Sequence, residues 1–219
     1  PLSSLQSLPT VFSDTVNRLV PYYQYSPAAD MKYAFTALMA ATTVLAGPVV
    51  TKRQAAAITD VQILNYALTL EHLEDTFYRQ GLQNYTQAQF AAAGYDATFY
   101  QNLQTISSDE KTHVAFLTSA LGSAAVAECT YSFPSTDVAS FVGLASVFEG
   151  VGVSAYLGAA ASIMNKDYLT AAGSILTVES RHSAFIRGAL KQSPFPSPFD
   201  TPLDFNEVYT RVAPFIKSC

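Results

Sequence analysis

Glu71, Glu110, His113, Glu149, Glu179 and His182 stand out because they form one arrangement written twice. The first copy joins Ala67-Leu68-Thr69-Leu70-Glu71 to Glu110-Lys111-Thr112-His113. The second joins Ala145-Ser146-Val147-Phe148-Glu149 to Glu179-Ser180-Arg181-His182. Each copy offers a single Glu on one helix and a Glu-x-x-His on the next. Residues three apart share a helix face, so each Glu-x-x-His can present both groups to one ion. Four carboxylates and two imidazoles are the ligand set of a dinuclear metal site inside a four-helix bundle. Two divalent cations would cancel the four negative charges. Without them the buried carboxylates would repel one another and take up protons. Carboxylate with imidazole suits iron or manganese and tolerates zinc. Glu110 and Glu179 are assigned as bridging ligands, with Glu71 and Glu149 terminal.

The repeat extends beyond the ligands. Ala67, Glu71 and Tyr78 align with Ala145, Glu149 and Tyr156, and the second helices share seven identities over the sixteen positions 106–121 and 175–190. The chain has three histidines, and two occupy equivalent positions in this repeat. Glu74 aligns with Gly152. It is either an extra ligand that makes the site asymmetric, or a hydrogen-bonding or solvated neighbour. His72 points about 100° away from Glu71 and is expected at the surface or behind the ligands. Tyr78 and Tyr156 are either hydrogen-bond partners of the ligands, electron shuttles or plain core.

The elements that must position these groups are predicted as an all-α domain. A helix begins at Thr59 or Asp60 and runs to about Gln80, with Ile63, Leu64, Ala67, Leu68, Leu70 and Phe77 as its apolar face. A second long helix spans about 97–121 and stops at Gly122. The stretch 128–136 is a crossover loop. A third helix runs from near Asp137 to about Met164. Glu149 is the only charged residue between Asp137 and Lys166, so this helix must be central. The fourth spans about 168–190. Four prolines lie between Ser193 and Pro202, and Asp204 with Glu207 reads as a capping box for a last short helix reaching about Ile216. The division is therefore 1–53 as leader or N-terminal extension, 54–192 as a four-helix bundle with one long crossover, and 193–219 as a proline-rich segment with a C-terminal helix.

Met31-Lys32 is followed by Tyr33 to Gly47 without a charge, then by Lys52-Arg53. That is the layout of a secretory signal with a propeptide-processing pair, which makes Gln54 the mature start and residues 1–30 an upstream leader. The alternative keeps Met31 to Ala46 as an apolar helix packed on the bundle. Secretion to the medium or cell wall would make Asn84-Tyr85-Thr86 a glycosylation sequon and would favour a single disulfide between Cys129 and Cys219. A net charge of −5, with twelve Lys and Arg scattered among 219 residues, argues against nucleic acid and anionic membrane surfaces as partners. A homodimer is left open.

At these residues the chain resembles the ferritin-like superfamily, which includes rubrerythrin, bacterioferritin and manganese catalase. The resemblance covers about residues 58–190. The run Ile63-Leu64-Asn65-Tyr66-Ala67-Leu68-Thr69-Leu70-Glu71-His72-Leu73-Glu74 is similar to secreted ferritin-like domain proteins of fungi, which are related to desiccation-related proteins and a fungal stress-response protein. The resemblance implies a dimetal four-helix bundle, the six ligands named above and a signal peptide. Rubrerythrin carries a Glu-x-x-Glu whose second Glu can bind metal; here the similar Glu71-x-x-Glu74 falls in the first helix. Three functions are in competition: redox chemistry on peroxide or dioxygen during stress, as a catalase- or peroxidase-like oxidoreductase; ferroxidase-type metal handling; and a desiccation-stress protein whose metal is only structural.

Overall fold

The computed structural model describes residues 58–219. The signal-like segment from Met31, the Lys52-Arg53 pair and the start at Gln54 lie outside the described residues. Four long helices form the bundle: α1 (Asp60–Asn84), α3 (Ala97–Leu121), α4 (Val138–Ala159) and α5 (Lys166–Ala189). A short α2 (Gln87–Ala92) joins α1 to α3, and α6 (Phe205–Val212) lies near the C-terminus.

Local sequence sets the helix starts. Thr59 caps α1 in a reciprocal box with Gln62, Asp96 accepts from Phe99 N at the start of α3, Asp137 and Ser140 box α4, and Asp204 and Glu207 box α6. Each side chain satisfies backbone N–H groups that have no partner within the helix. The ends depart further from expectation. Helix α1 continues four residues past Gln80, because buried Gly81 and half-buried Leu82 keep packing on the core. Helix α4 stops at Ala159 in a 3-10 turn over Ala160–Ser162, short of Met164. Helix α6 gives way after Val212 to a 3-10 turn containing Pro214, which has no N–H to continue it.

Hydrogen bonds at the helix ends fix the topology. Asn65, near the start of α1, bonds Ala124 O and Val126 N just beyond the end of α3. Asp60 accepts from Met164 N and Asn165 N beyond the end of α4, both at 2.8 Å. Neighbouring helices therefore run antiparallel. The crossover from α3 to α4 contains a two-residue strand, β1 (Thr130–Tyr131), paired antiparallel with β2 (Ile216–Ser218). The disulfide Cys129–Cys219 closes this ribbon.

The apolar core falls mainly into two clusters. One gathers Phe77, Phe90, Phe99, Phe141 and Phe148 near the end of α1 and the start of α3; the other gathers Leu64, Leu68, Leu117, Leu121 and Ile175 at the opposite end. The polar layer of the repeat lies between them. The stretch Val138–Ser162 is long and apolar enough to cross a membrane, but most of it is buried inside the protein. Its composition follows from its central place, with neighbours on several sides. A Cβ on Gly158 would meet the Leu203 carbonyl at 1.9 Å, and Leu203 N donates to Ser154 O at 3.1 Å. The chain entering α6 thus lies directly on the α4 backbone, where only glycine leaves room.

Candidate metal centre

Helix α1 contributes Glu71, α3 contributes Glu110 and His113, α4 contributes Glu149, and α5 contributes Glu179 and His182. All four glutamates are fully buried, and the histidines are 8% and 6% exposed. Each lies on a face that is otherwise apolar: Ile106 and Leu117 flank the α3 pair, and Ile175 and Ile186 flank the α5 pair. Helix periodicity therefore turns the ligand atoms into the bundle.

The six groups converge as two overlapping sets. Glu71, Glu110, His113 and Glu179 form one; Glu110, Glu149, Glu179 and His182 form the other. Within each set, one potential ligand atom per residue lies within 4.8 Å of every other. Glu110 and Glu179 belong to both. His113 Nδ1 lies 3.1 Å from Glu71, 3.2 Å from Glu110 and 3.4 Å from Glu179. His182 Nδ1 lies 2.9 Å from Glu110 and 3.5 Å from Glu149.

The hydrogen-bond balance of this layer is incomplete. Glu74 Oε2, Glu110 Oε1, Glu149 Oε2, both oxygens of Glu179 and His182 Nδ1 are buried without a hydrogen-bond partner in good geometry. Buried polar atoms are rarely left so, and a cluster of them aimed at common points is what a pair of cations would satisfy. The donor set fits iron or manganese, and also zinc.

The electrostatics carry the same message. Burial, followed by its carboxylate neighbours, holds Glu179 well above the usual carboxylate range. Burial raises Glu110 to about 7; Glu149 and Glu71 add to the rise, and His113 and His182 oppose it. Burial would lower the histidines, but the adjacent carboxylates of Glu110, Glu179 and Glu71 lift His113 to about 12. Glu110 and Glu149 likewise lift His182 to about 11. Protons on these groups would hold the layer together, and cations would displace them.

Tyr78 and Tyr156 are hydrogen-bond donors to the cluster, and each reaches across the bundle. Tyr78 on α1 donates to Glu149 on α4, and Tyr156 on α4 donates to Glu71 on α1. Burial first, then these carboxylates, raises both phenols well above their ordinary value, so they remain protonated donors.

Glu74 is only 3% exposed, so the solvated alternative does not hold. Burial, then Glu179, Glu110, Glu71 and Glu149, raises it strongly. A Cβ on Gly152 would fall 2.7 Å from Glu179 Oε2 and 3.1 Å from Glu74 Oε1. The missing side chain at the repeat-equivalent position is thus what makes room for Glu74 beside Glu179. His72, expected at the surface or behind the ligands, is buried, with Nε2 3.4 Å from the Val126 carbonyl. Asn84 is exposed, at the last position of α1.

Asp109 was not singled out by sequence. Its Oδ2 lies 3.2 Å from His182 Nε2, the outward nitrogen of a ligand-type imidazole, where a carboxylate fixes tautomer and ring orientation. The only signal available was adjacency to Glu110. The equivalent position in the second half is Val178, so this support is one-sided.

Comparison with known proteins agrees with this geometry. Residues 59–192 match the model of the Ferritin-like domain family. The protein rds1 of Schizosaccharomyces pombe is 28% identical over 163 residues, covering 73% of this chain and 40% of that protein. The chain thus spans less than half the length of this relative.

Proposed function

The chain belongs to the ferritin-like domain family, and from that premise we propose that its buried layer is a dinuclear iron or manganese centre serving redox chemistry on peroxide or dioxygen. The observation that carries this reading is the convergence of six buried ligand-type groups in two sets sharing Glu110 and Glu179. Glu71, Glu110, His113 and Glu179 would hold one ion, and Glu110, Glu149, Glu179 and His182 the other, with Glu74 available as an extra carboxylate. When bound, two adjacent ions of a redox-active metal would supply electron transfer to an oxygen substrate. The chain's own residues do the rest. Tyr78 and Tyr156 orient the terminal carboxylates and hold a proton at each phenol oxygen. Asp109 orients His182. The two apolar clusters exclude water from the layer.

Secretion is part of the proposal. It is supported by the disulfide, which persists in oxidising compartments, by the exposed sequon at Asn84, and by the signal-like segment from Met31.

The test is elemental analysis of the protein from its native host, followed by oxygen-release and peroxidase assays with hydrogen peroxide. About two iron or manganese per chain with peroxide turnover is the expected result. Bound metal without turnover would leave a metal-handling or structural site. Metal content unchanged in Glu149→Ala and His182→Ala would remove the site altogether.

A further inference from the structure

A cavity of about 30 Å³ lies beside the carboxylate layer and takes no part in the arrangement above. Ala67, Leu70, Leu117, Tyr156, Ala172 and Ile175 line it, and Phe116, 45% exposed, stands at its outer side. Its position follows from helix arithmetic. Ala67, Leu117 and Ile175 are each four residues from a ligand-type group, namely Glu71, His113 and Glu179, and so lie one turn, about 5.4 Å, along the bundle from the layer. Tyr156 closes the gap: its ring lines the cavity while its hydroxyl donates to Glu71.

The walls are almost wholly hydrocarbon. At roughly 10–15 Å³ per water-sized site, the space holds about two such positions, yet a buried water needs two to four polar partners. The polar groups at hand are largely engaged. The Tyr156 hydroxyl is committed to Glu71, and the Asp60 carboxylate to Met164 N and Asn165 N. The Tyr66 hydroxyl is buried without a partner, and its ring packs edge-on against Phe205 at 4.7 Å. Tyr168, also in the lining, is only half-buried; one buried hydroxyl does not hold a water, and hydrogen peroxide demands more hydrogen bonds still. A small molecule that makes none fits both the size and the lining.

We infer that this cavity is a binding site for dioxygen, held one turn from the carboxylate layer. The inference rests on the redox reading above, and it narrows the oxygen substrate from peroxide or dioxygen to dioxygen. Phe116 marks the outer side of the cavity and Tyr156 the inner.

Dioxygen is paramagnetic, so its own residence can be read from methyl relaxation. The protein is loaded with diamagnetic zinc, its zinc content is measured, and 13C-methyl relaxation is recorded with and without elevated dioxygen pressure. Relaxation enhancement at Ala67, Leu117 and Ile175 should exceed that at the comparably buried Ile106 and Val138 by several-fold, and filling the space with Ala172→Leu should abolish the excess. Uniform enhancement across buried methyls overturns the inference, as do water-to-methyl Overhauser effects at these three residues. Failure of the variant to fold leaves the wild-type comparison decisive. Excess enhancement without bound zinc would uphold the cavity site and overturn the metal reading, so the two failures are distinguishable.

Discussion

Removing the metal should invert the pH dependence of stability. In the metal-free protein Glu110 titrates at about 7 instead of 4.5. A group whose pKa is raised on folding favours the fold fully below its unfolded value and loses that contribution as pH rises through its folded value. At 1.36 kcal/mol per pKa unit, this carboxyl alone makes the metal-free fold about 3 kcal/mol less stable at pH 8 than at pH 4. Glu74 and Glu179, also raised, act in the same direction. So do His113 and His182, whose contribution begins to fall above the ordinary value of 6.5 and is gone only beyond about 11–12. At about 2–4 °C per kcal/mol for a domain of this size, the Glu110 contribution alone lowers Tm by roughly 6–12 °C between pH 4 and 8. With two equivalents of zinc the slope should reverse, because protons compete with the metal for the same atoms. Scanning calorimetry at pH 5, 6, 7 and 8, with and without zinc, measures both slopes. A metal-free Tm that stays level or rises towards pH 8 would refute the reasoning, as would a zinc-induced rise in Tm that does not grow with pH.

Three further outcomes follow from particular contacts. Gly152→Ala should leave the fold intact but weaken metal binding about 10–100-fold, as expected when a ligand's support is disturbed, because its Cβ displaces the Glu179 carboxylate; a metal titration with unchanged affinity would contradict this. Asp109→Asn should weaken binding at the His182 ion more than at the His113 ion, seen as two separated steps in the same titration; a single unsplit step would count against it. The double variant Cys129→Ser/Cys219→Ser opens a covalent loop with a sequence separation of 90 and should cost about 4–5 kcal/mol of unfolding free energy; a urea midpoint equal to that of the parent would show the ribbon to be held without it.

The carboxylate–histidine layer was legible because its signals are local and strong. Glu149 is the sole charge in a long apolar stretch, and the Glu-x-x-His spacing recurs in register with a second set of apolar positions. Helix periodicity alone then puts all six groups on inward faces. The partners behind them were less legible, because they depend on which helix faces which. Tyr78 lies two turns from Glu71 on its own helix, yet its hydroxyl serves Glu149. Asp109 lies about 100° around α3 from Glu110, and only the packing of α3 against α5 brings it to His182. The β1–β2 ribbon has two and three residues in its strands, too few to leave an alternating pattern, and it pairs positions 88 apart. Alignment paired Glu74 with Gly152, but only the folded chain shows that one occupies the space the other leaves.

The crossed tyrosines have an implication for how such a chain arises. Tyr78 serves Glu149 and Tyr156 serves Glu71, so residue i of one half meets residue j of the other and j meets i. That reciprocity is the signature of an isologous contact between identical subunits about a twofold axis, here enclosed within one polypeptide. A lone helix hairpin would present its terminal carboxylate without a hydroxyl donor, whereas two copies would complete each other. The seam between the halves thus has the form of a dimer interface made permanent by the crossover. The departures from symmetry at Glu74/Gly152 and Asp109/Val178 are changes that two identical subunits could not have held separately.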